Sequence, residues 1–149
     1  MGFVELTTEN LPKEHICCSI SDKREDSGLA LKKSWLKERM NDGLVFRKLD
    51  ERGKVFIEYL PAEKAWAPIY APGYLYINCF WVSGSFKGEG HGINLIESCI
   101  NDAHGTSGIV ALSSEKKRPF LSDGKFLKKY GFKVCDTADP YFELLVLKL

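Results

Sequence analysis

The segment Val82-Ser83-Gly84-Ser85-Phe86-Lys87-Gly88-Glu89-Gly90-His91-Gly92 constrains this chain more than any other, because its glycines fall between two elements of opposite character. Before it, Tyr74 to Val82 crowds Tyr, Ile, Phe, Trp and Val into a stretch broken only by Asn78 and Cys79, which reads as a central strand. After it, Ile93, Ile96, Cys99, Ile100 and Ala103 mark one face of a helix whose other side carries Asn94, Glu97, Ser98, Asn101 and Asp102. Glycines at 88, 90 and 92 let backbone amides approach a ligand closely, and the following helix adds unpaired N–H groups and the positive end of its dipole. The expectation is an anion cradle suited to phosphate. A P-loop fits poorly, since Lys87 precedes its glycine and Glu89 follows it. A dinucleotide fingerprint also fails: the third glycine comes one residue early, and Ser113-Ser114 stands where the ribose carboxylate would be.

The rest of the chain supplies the elements around that turn. Leu29 to Met40 places Leu31, Trp35, Leu36 and Met40 at helical spacing, with Lys32, Lys33, Lys37, Glu38 and Arg39 on the remaining circumference. Residues 44–49 and 55–60 flank a polar stretch and predict an antiparallel hairpin. Pro61 to Gly73 is a long connection of the kind that carries function. Ile109 to Leu112 reads as a buried strand, and Ser122-Asp123-Gly124 starts a helix through Phe126, Leu127 and Tyr130 that Gly131 stops. Phe132 to Cys135 and Tyr141 to Leu147 predict two final strands around a turn at 136–140. With a strand near Val4, the order is β-α-β-β-β-α-β-α-β-β.

Composition narrows the class. A chain of 149 residues with 44% hydrophobic residues fits one domain over residues 1–149, and a chain of this size removes about 68–70% of its unfolded surface from water. The net charge of +1 argues against a dedicated nucleic-acid binder. Residues 115–133 nevertheless hold a local balance of +5, leaving −4 for the remainder. The five cysteines include the adjacent Cys17 and Cys18 and form no Cys-x-x-Cys pair, as expected of a reducing compartment, with Cys17 and Cys18 as ordinary free thiols. No histidine is spaced for zinc, so no metal is expected. No long apolar run suggests a membrane span or signal peptide, so a cytoplasmic protein away from membranes is expected.

The segment Lys87-Gly88-Glu89-Gly90-His91-Gly92 resembles the acyl-CoA pyrophosphate loop of the GNAT N-acetyltransferase superfamily, whose motif runs Arg or Gln-Gly-x-Gly-x-Gly or Ala between a strand and a helix. Val82 falls on the motif's upstream valine and Leu95-Ile96 on its downstream aliphatic pair. Phe126-Leu127-Lys128-Lys129-Tyr130-Gly131-Phe132 resembles the superfamily's closing helix. The likeness implies an α/β (α+β) fold with a mixed, mostly antiparallel sheet of six or seven strands, helices on both faces, and a splayed central strand pair.

It also implies roles. Phe80, Trp81 and Val82 would line the pantetheine arm, a backbone N–H near Phe80 would polarise the thioester carbonyl, and Lys87, Gly88, Glu89, Gly90, His91 and Gly92 would hold the diphosphate. Lys116, Lys117, Arg118 and Lys125 are candidates for the nucleotide's 3′-phosphate. The implied activity is acetyl transfer from acetyl-CoA, as co-substrate, to a primary amine by direct attack. The superfamily tyrosine that often protonates the leaving thiolate falls on Leu127, which favours the alternative of a non-catalytic acyl-CoA-binding or regulatory module. Tyr76, Asn78 and Tyr130 are weak catalytic candidates, whereas Glu58 and Glu63 read as surface carboxylates. Trp35, Trp66, Ile69 and Tyr70 are candidates for the side of an unidentified amine acceptor. A homodimer or an additional domain, found in some members, is left open.

Overall fold

A computed structural model describes residues 3–12, 27–50, 55–65, 67–82, 88, 90–114, 124–139 and 142–149. Strands β1 (Phe3–Glu5), β2 (Val45–Leu49), β3 (Val55–Pro61), β4 (Tyr74–Val82), β5 (Gly108–Ser114), β6 (Lys133–Ala138) and β7 (Phe142–Lys148) form one sheet in the order β1-β2-β3-β4-β5-β7-β6. Helices α1 (Ser27–Met40), α2 (His91–Asp102) and α3 (Gly124–Tyr130) follow the expected order. The β4–β5 pair is parallel and the other pairs are antiparallel. Parallel neighbours need a long crossover, and α2 lies in it.

The sheet separates two apolar layers. On one face, Leu95, Ile96 and Cys99 of α2 and Leu127 of α3 pack with Ile57, Ile77, Phe80, Ile109 and Leu145. On the other, Leu36 of α1 joins Phe46, Phe56, Leu60, Tyr76 and Val110. Alternating strand side chains feed the two layers.

One strand boundary and one helix face depart from expectation. Strand β6 continues through Asp136, Thr137 and Ala138, which read as part of a turn. All six of its residues are exposed at the sheet edge, so the alternation that marks half-buried strands has no cause there. In α1, Leu31 is 70% exposed rather than part of the buried face. Lys32, Leu36 and Arg39, spaced i, i+4, i+7, occupy that side: Leu36 is fully buried, while the side chains of Lys32 and Arg39 are 28% and 18% exposed. Two cations thus stand where periodicity calls for apolar residues.

Candidate active site

The feature that positions the site is a local failure of strand pairing. Strand β4 pairs with β3 as far as Val82, but with β5 only from Tyr74 to Ile77, although β5 runs on to Ser114. Among the described residues, 78–82 therefore have no strand partner on the side facing β5. Backbone groups left open inside a sheet need another partner, and an extended ligand of matching polarity can supply one.

The opening begins at a β-bulge. Glu58 pairs with Cys79 and Tyr59 with Ile77, so Asn78 is the extra residue. Its effect is visible in the side chains: Leu75 and Ile77 face α2 and α3, and so do Phe80 and Val82, whereas Cys79 and Trp81 face α1. The sequence signal was the break in apolar character at Asn78 and Cys79.

At the C-terminal end of the open stretch stands the N-terminus of α2. Gly90 caps it in the left-handed region at φ 82°, no side chain caps it, and the first turn carries no acid. The first intrahelical bond runs from Asn94 N–H to Gly90 C=O at 3.1 Å, which leaves the N–H groups of His91, Gly92 and Ile93 ahead of the ladder. Gly88 and Gly90 both have positive φ, and a Cβ on either would enter open space. Gly92 differs. A Cβ there would meet the Phe126 ring at 3.0 Å and lie 3.5 Å from Phe80, so this glycine also serves the packing of α2 on β4 and α3. The buried His91 ring meets Phe3 edge-on at 5.9 Å.

The open strand contributes through its backbone more than its side chains. Phe80 is 2% exposed and packs against Phe126 with ring centroids 5.4 Å apart, so its ring belongs to the core; Trp81 and Val82 are half-buried on opposite faces. Lys87 and Glu89 lie outside the described residues, as do Lys116, Lys117, Arg118, Trp66, Cys17 and Cys18. Lys125 is exposed on α3, and its neighbour Lys128 is committed to Glu143 at 2.8 Å.

Glu58 overturns its reading as a surface carboxylate. It is 1% exposed on the α1 side of the sheet. Lys32 Nζ donates to its Oε1 at 3.2 Å, and Asn78 Nδ2 donates to Oε2. A buried carboxylate requires such partners, since burial of an unpaired charge is costly. The Lys32 ammonium also lies 4.4 Å from the centre of the Trp35 ring. Tyr76, 5% exposed, precedes Ile77, the last residue of β4 paired with β5; burial first, then the charges of Cys79 and Glu58, push its phenol up to about 12, so it is protonated at neutral pH.

The other candidates are dispersed. Glu63 accepts from Gly73 N–H at 3.1 Å, which leads the causes holding its carboxyl below its ordinary value and makes it a loop clamp and a weaker base. Ile69 and Tyr70 line a cavity of about 300 Å³ in the β3–β4 connection with Ala62, Glu63 and Pro72, and Tyr70 is 90% exposed. Tyr130 is half-buried against the α2–α3 layer, while Leu127 is fully buried within it. The α1 side therefore gathers Lys32, Trp35, Glu58, Tyr76 and Asn78 beside the start of the opening; Ile69 packs against the same apolar layer from the β3–β4 connection, whereas Tyr130 lies on the opposite face and Tyr70 is exposed.

No family model matches the chain. It is 50% identical over 149 residues to the uncharacterized N-acetyltransferase YoaP of Bacillus subtilis (strain 168), covering 99% of this chain and 59% of that protein, so the chain spans less than two thirds of its relative. Among solved structures, a GNAT-family protein from Desulfovibrio desulfuricans superposes with a TM-score of 0.65 at 13% identity, over 99% of this chain and 98% of the other. An aminoglycoside 6′-N-acetyltransferase complexed with coenzyme A gives 0.64 at 14% identity, over 99% and 97%. PaiA N-acetyltransferase from Thermoplasma acidophilum, also in complex with coenzyme A, gives 0.61 at 14%, over the whole of both chains. The chain has the GNAT fold.

Proposed function

We propose that this GNAT-fold chain forms one acyltransferase domain that moves an acetyl group from acetyl-CoA to a primary amine by direct attack. The observation that carries the reading is the conjunction of a central strand with an open edge at residues 78–82 and, at its end, the glycine-bearing N-terminus of α2, which no side chain caps. An extended amide-bearing arm suits the first, and a diphosphate suits the second through amide N–H groups and the helix dipole. The naming of the Bacillus relative as an N-acetyltransferase, and the coenzyme A held by two structural neighbours, support the same reading.

In this reading the residues divide the work by position. Gly88, Gly90, His91 and Gly92 hold the diphosphate through backbone N–H groups, with Lys87 and Glu89 in the same loop. The backbone of Phe80, Trp81 and Val82 aligns the arm and directs an N–H at the thioester carbonyl. Glu58 takes a proton from the attacking amine, aided by Asn78, which holds the second carboxylate oxygen. Tyr76, with its raised phenol, serves as a hydrogen-bond donor and a poor proton source for a thiolate.

The fully buried Leu127 favours a second reading, a module that binds acyl-CoA without turnover. Calorimetry with acetyl-CoA and CoA, followed by an amine panel assayed for thiol release, separates the two. Binding with amine-dependent release is the expected result. Binding without release across the panel supports the module, and no binding of either ligand excludes both.

A further inference from the structure

The inward stripe of α1 carries a lysine where an apolar residue would serve packing better. Holding the Lys32 side chain in one place costs rotamer entropy, and withdrawing its ammonium from water costs hydration. It is held by a carboxylate, Glu58 Oε1 at 3.2 Å, and by an aromatic face, Trp35 with its ring centre at 4.4 Å. Those are two groups that recognise a primary ammonium. The second oxygen of the same carboxylate is bonded to Asn78, the first residue of β4 beyond its last pair with β5. One carboxylate therefore joins an amine of the chain itself to the start of the open backbone.

We propose that Lys32 is an acceptor: the chain acetylates Lys32 Nζ in cis. The proposal rests on the acetyl-CoA reading above. Glu58 takes one proton from the Lys32 ammonium, and the freed lone pair forms a C–N bond to the acetyl carbonyl carbon. The C–S bond breaks with its electron pair passing to sulfur. The second proton lost by nitrogen balances the charge on sulfur to give CoA thiol, and Glu58 returns its proton to water. The product is a neutral amide at Lys32, with no oxidant or further co-reactant.

The test incubates the full chain with acetyl-CoA and no added amine at two widely different protein concentrations, with intact mass and peptide mapping against time. Acetyl-CoA binding is measured by calorimetry on the same preparation. The expected result is one acetyl group per chain at Lys32, appearing at a first-order rate independent of protein concentration and at least about tenfold faster than at the exposed Lys37 and Lys125, a barrier difference of about 1.4 kcal/mol. Lys32→Arg should abolish the modification, and Glu58→Gln should slow it. Comparing lysines within the unaltered chain keeps the result readable if a variant fails to fold. Binding with Lys32 modified no faster than Lys37 and Lys125 overturns the proposal and leaves the CoA reading standing. A rate that rises with protein concentration overturns transfer in cis. Absence of acetyl-CoA binding overturns both.

Discussion

Glu58 and Tyr59 are adjacent on β3, buried to the same degree, and anchor two polar clusters on opposite faces of the sheet. Behind Tyr59, the phenol donates to Asp102 at the end of α2 and accepts from Arg47 Nη1 at 2.9 Å, while Arg47 also pairs with Glu5 of β1. That cluster ties α2 to a fully paired part of the sheet. Behind Glu58, Lys32 and Asn78 meet a carboxylate at a bulge where pairing stops. Both clusters contain an acid, a base and a neutral hydrogen-bonding group. Their difference is the backbone beside them: closed ladders give a polar network only a structural task, whereas an open strand gives it access to a ligand.

The comparison is broken most decisively at Glu58. Glu58→Gln should lower amine-dependent thiol release by about 100- to 10,000-fold, the range of a lost general base, while calorimetry gives acetyl-CoA affinity within about twofold of the parent. A loss of affinity as large as the loss of rate would move Glu58 from proton transfer to ligand binding.

Next in size is a matched pair of glycines. Gly90 and Gly105 have φ of 82° and 88°, and a Cβ at either meets nothing within 4 Å. Valine at each should cost a similar backbone strain of about 1–2 kcal/mol, read by denaturant unfolding. Gly90→Val alone should also weaken CoA binding by about tenfold or more, or 1.4 kcal/mol, in calorimetry. Equal affinities in the two variants would reduce the loop before α2 to a turn.

Tyr59→Phe sharpens the other side. Asp102 is 44% exposed and regains water when the phenol is removed, so the loss should be about 1 kcal/mol of stability in urea, with turnover unchanged. A fall in turnover would make the second cluster part of the site.

The smallest effect belongs to Glu63. Its carboxyl is held below 4.5 in the fold, chiefly by the Gly73 N–H, so its contribution to stability is present above the unfolded value and disappears as pH falls through the folded one. Glu63→Gln should flatten thermal stability against pH below about 4.5 and leave the neutral range unaltered. Unchanged acid dependence would remove Glu63 from its role as loop clamp.

Much of this was legible in the residues, for reasons that differ by element. Tyr74 to Val82 and the helix after Gly92 declared themselves because burial enforces their periods, and the glycines between them marked the turn proposed above to hold an anion. Neighbour relations were less accessible: β7 inserts between β5 and β6, and no local pattern around Phe142 specifies that order. Glu58 and Lys32 were misread for a shared cause. A charge in a strand or helix reads as solvent-facing, yet here each satisfies the other beneath α1, and their complementarity across 26 positions has no signature in either segment. Lys48 of β2, also fully buried, shows the same limit of patterning. Leu127 was legible as a departure from the superfamily's tyrosine, and its burial explains why an apolar residue suits that position.

The central claim is that an acyl-CoA adds to the open edge of β4 and the start of α2. Backbone amide resonances followed during a CoA titration test it directly. Residues 78–82 and the N–H groups of His91, Gly92 and Ile93 should shift and saturate together, while Arg47, Tyr59 and Asp102 on the closed side stay in place. Saturable binding that leaves residues 78–82 and 91–93 unshifted, or that shifts the Arg47–Tyr59 cluster instead, would contradict it.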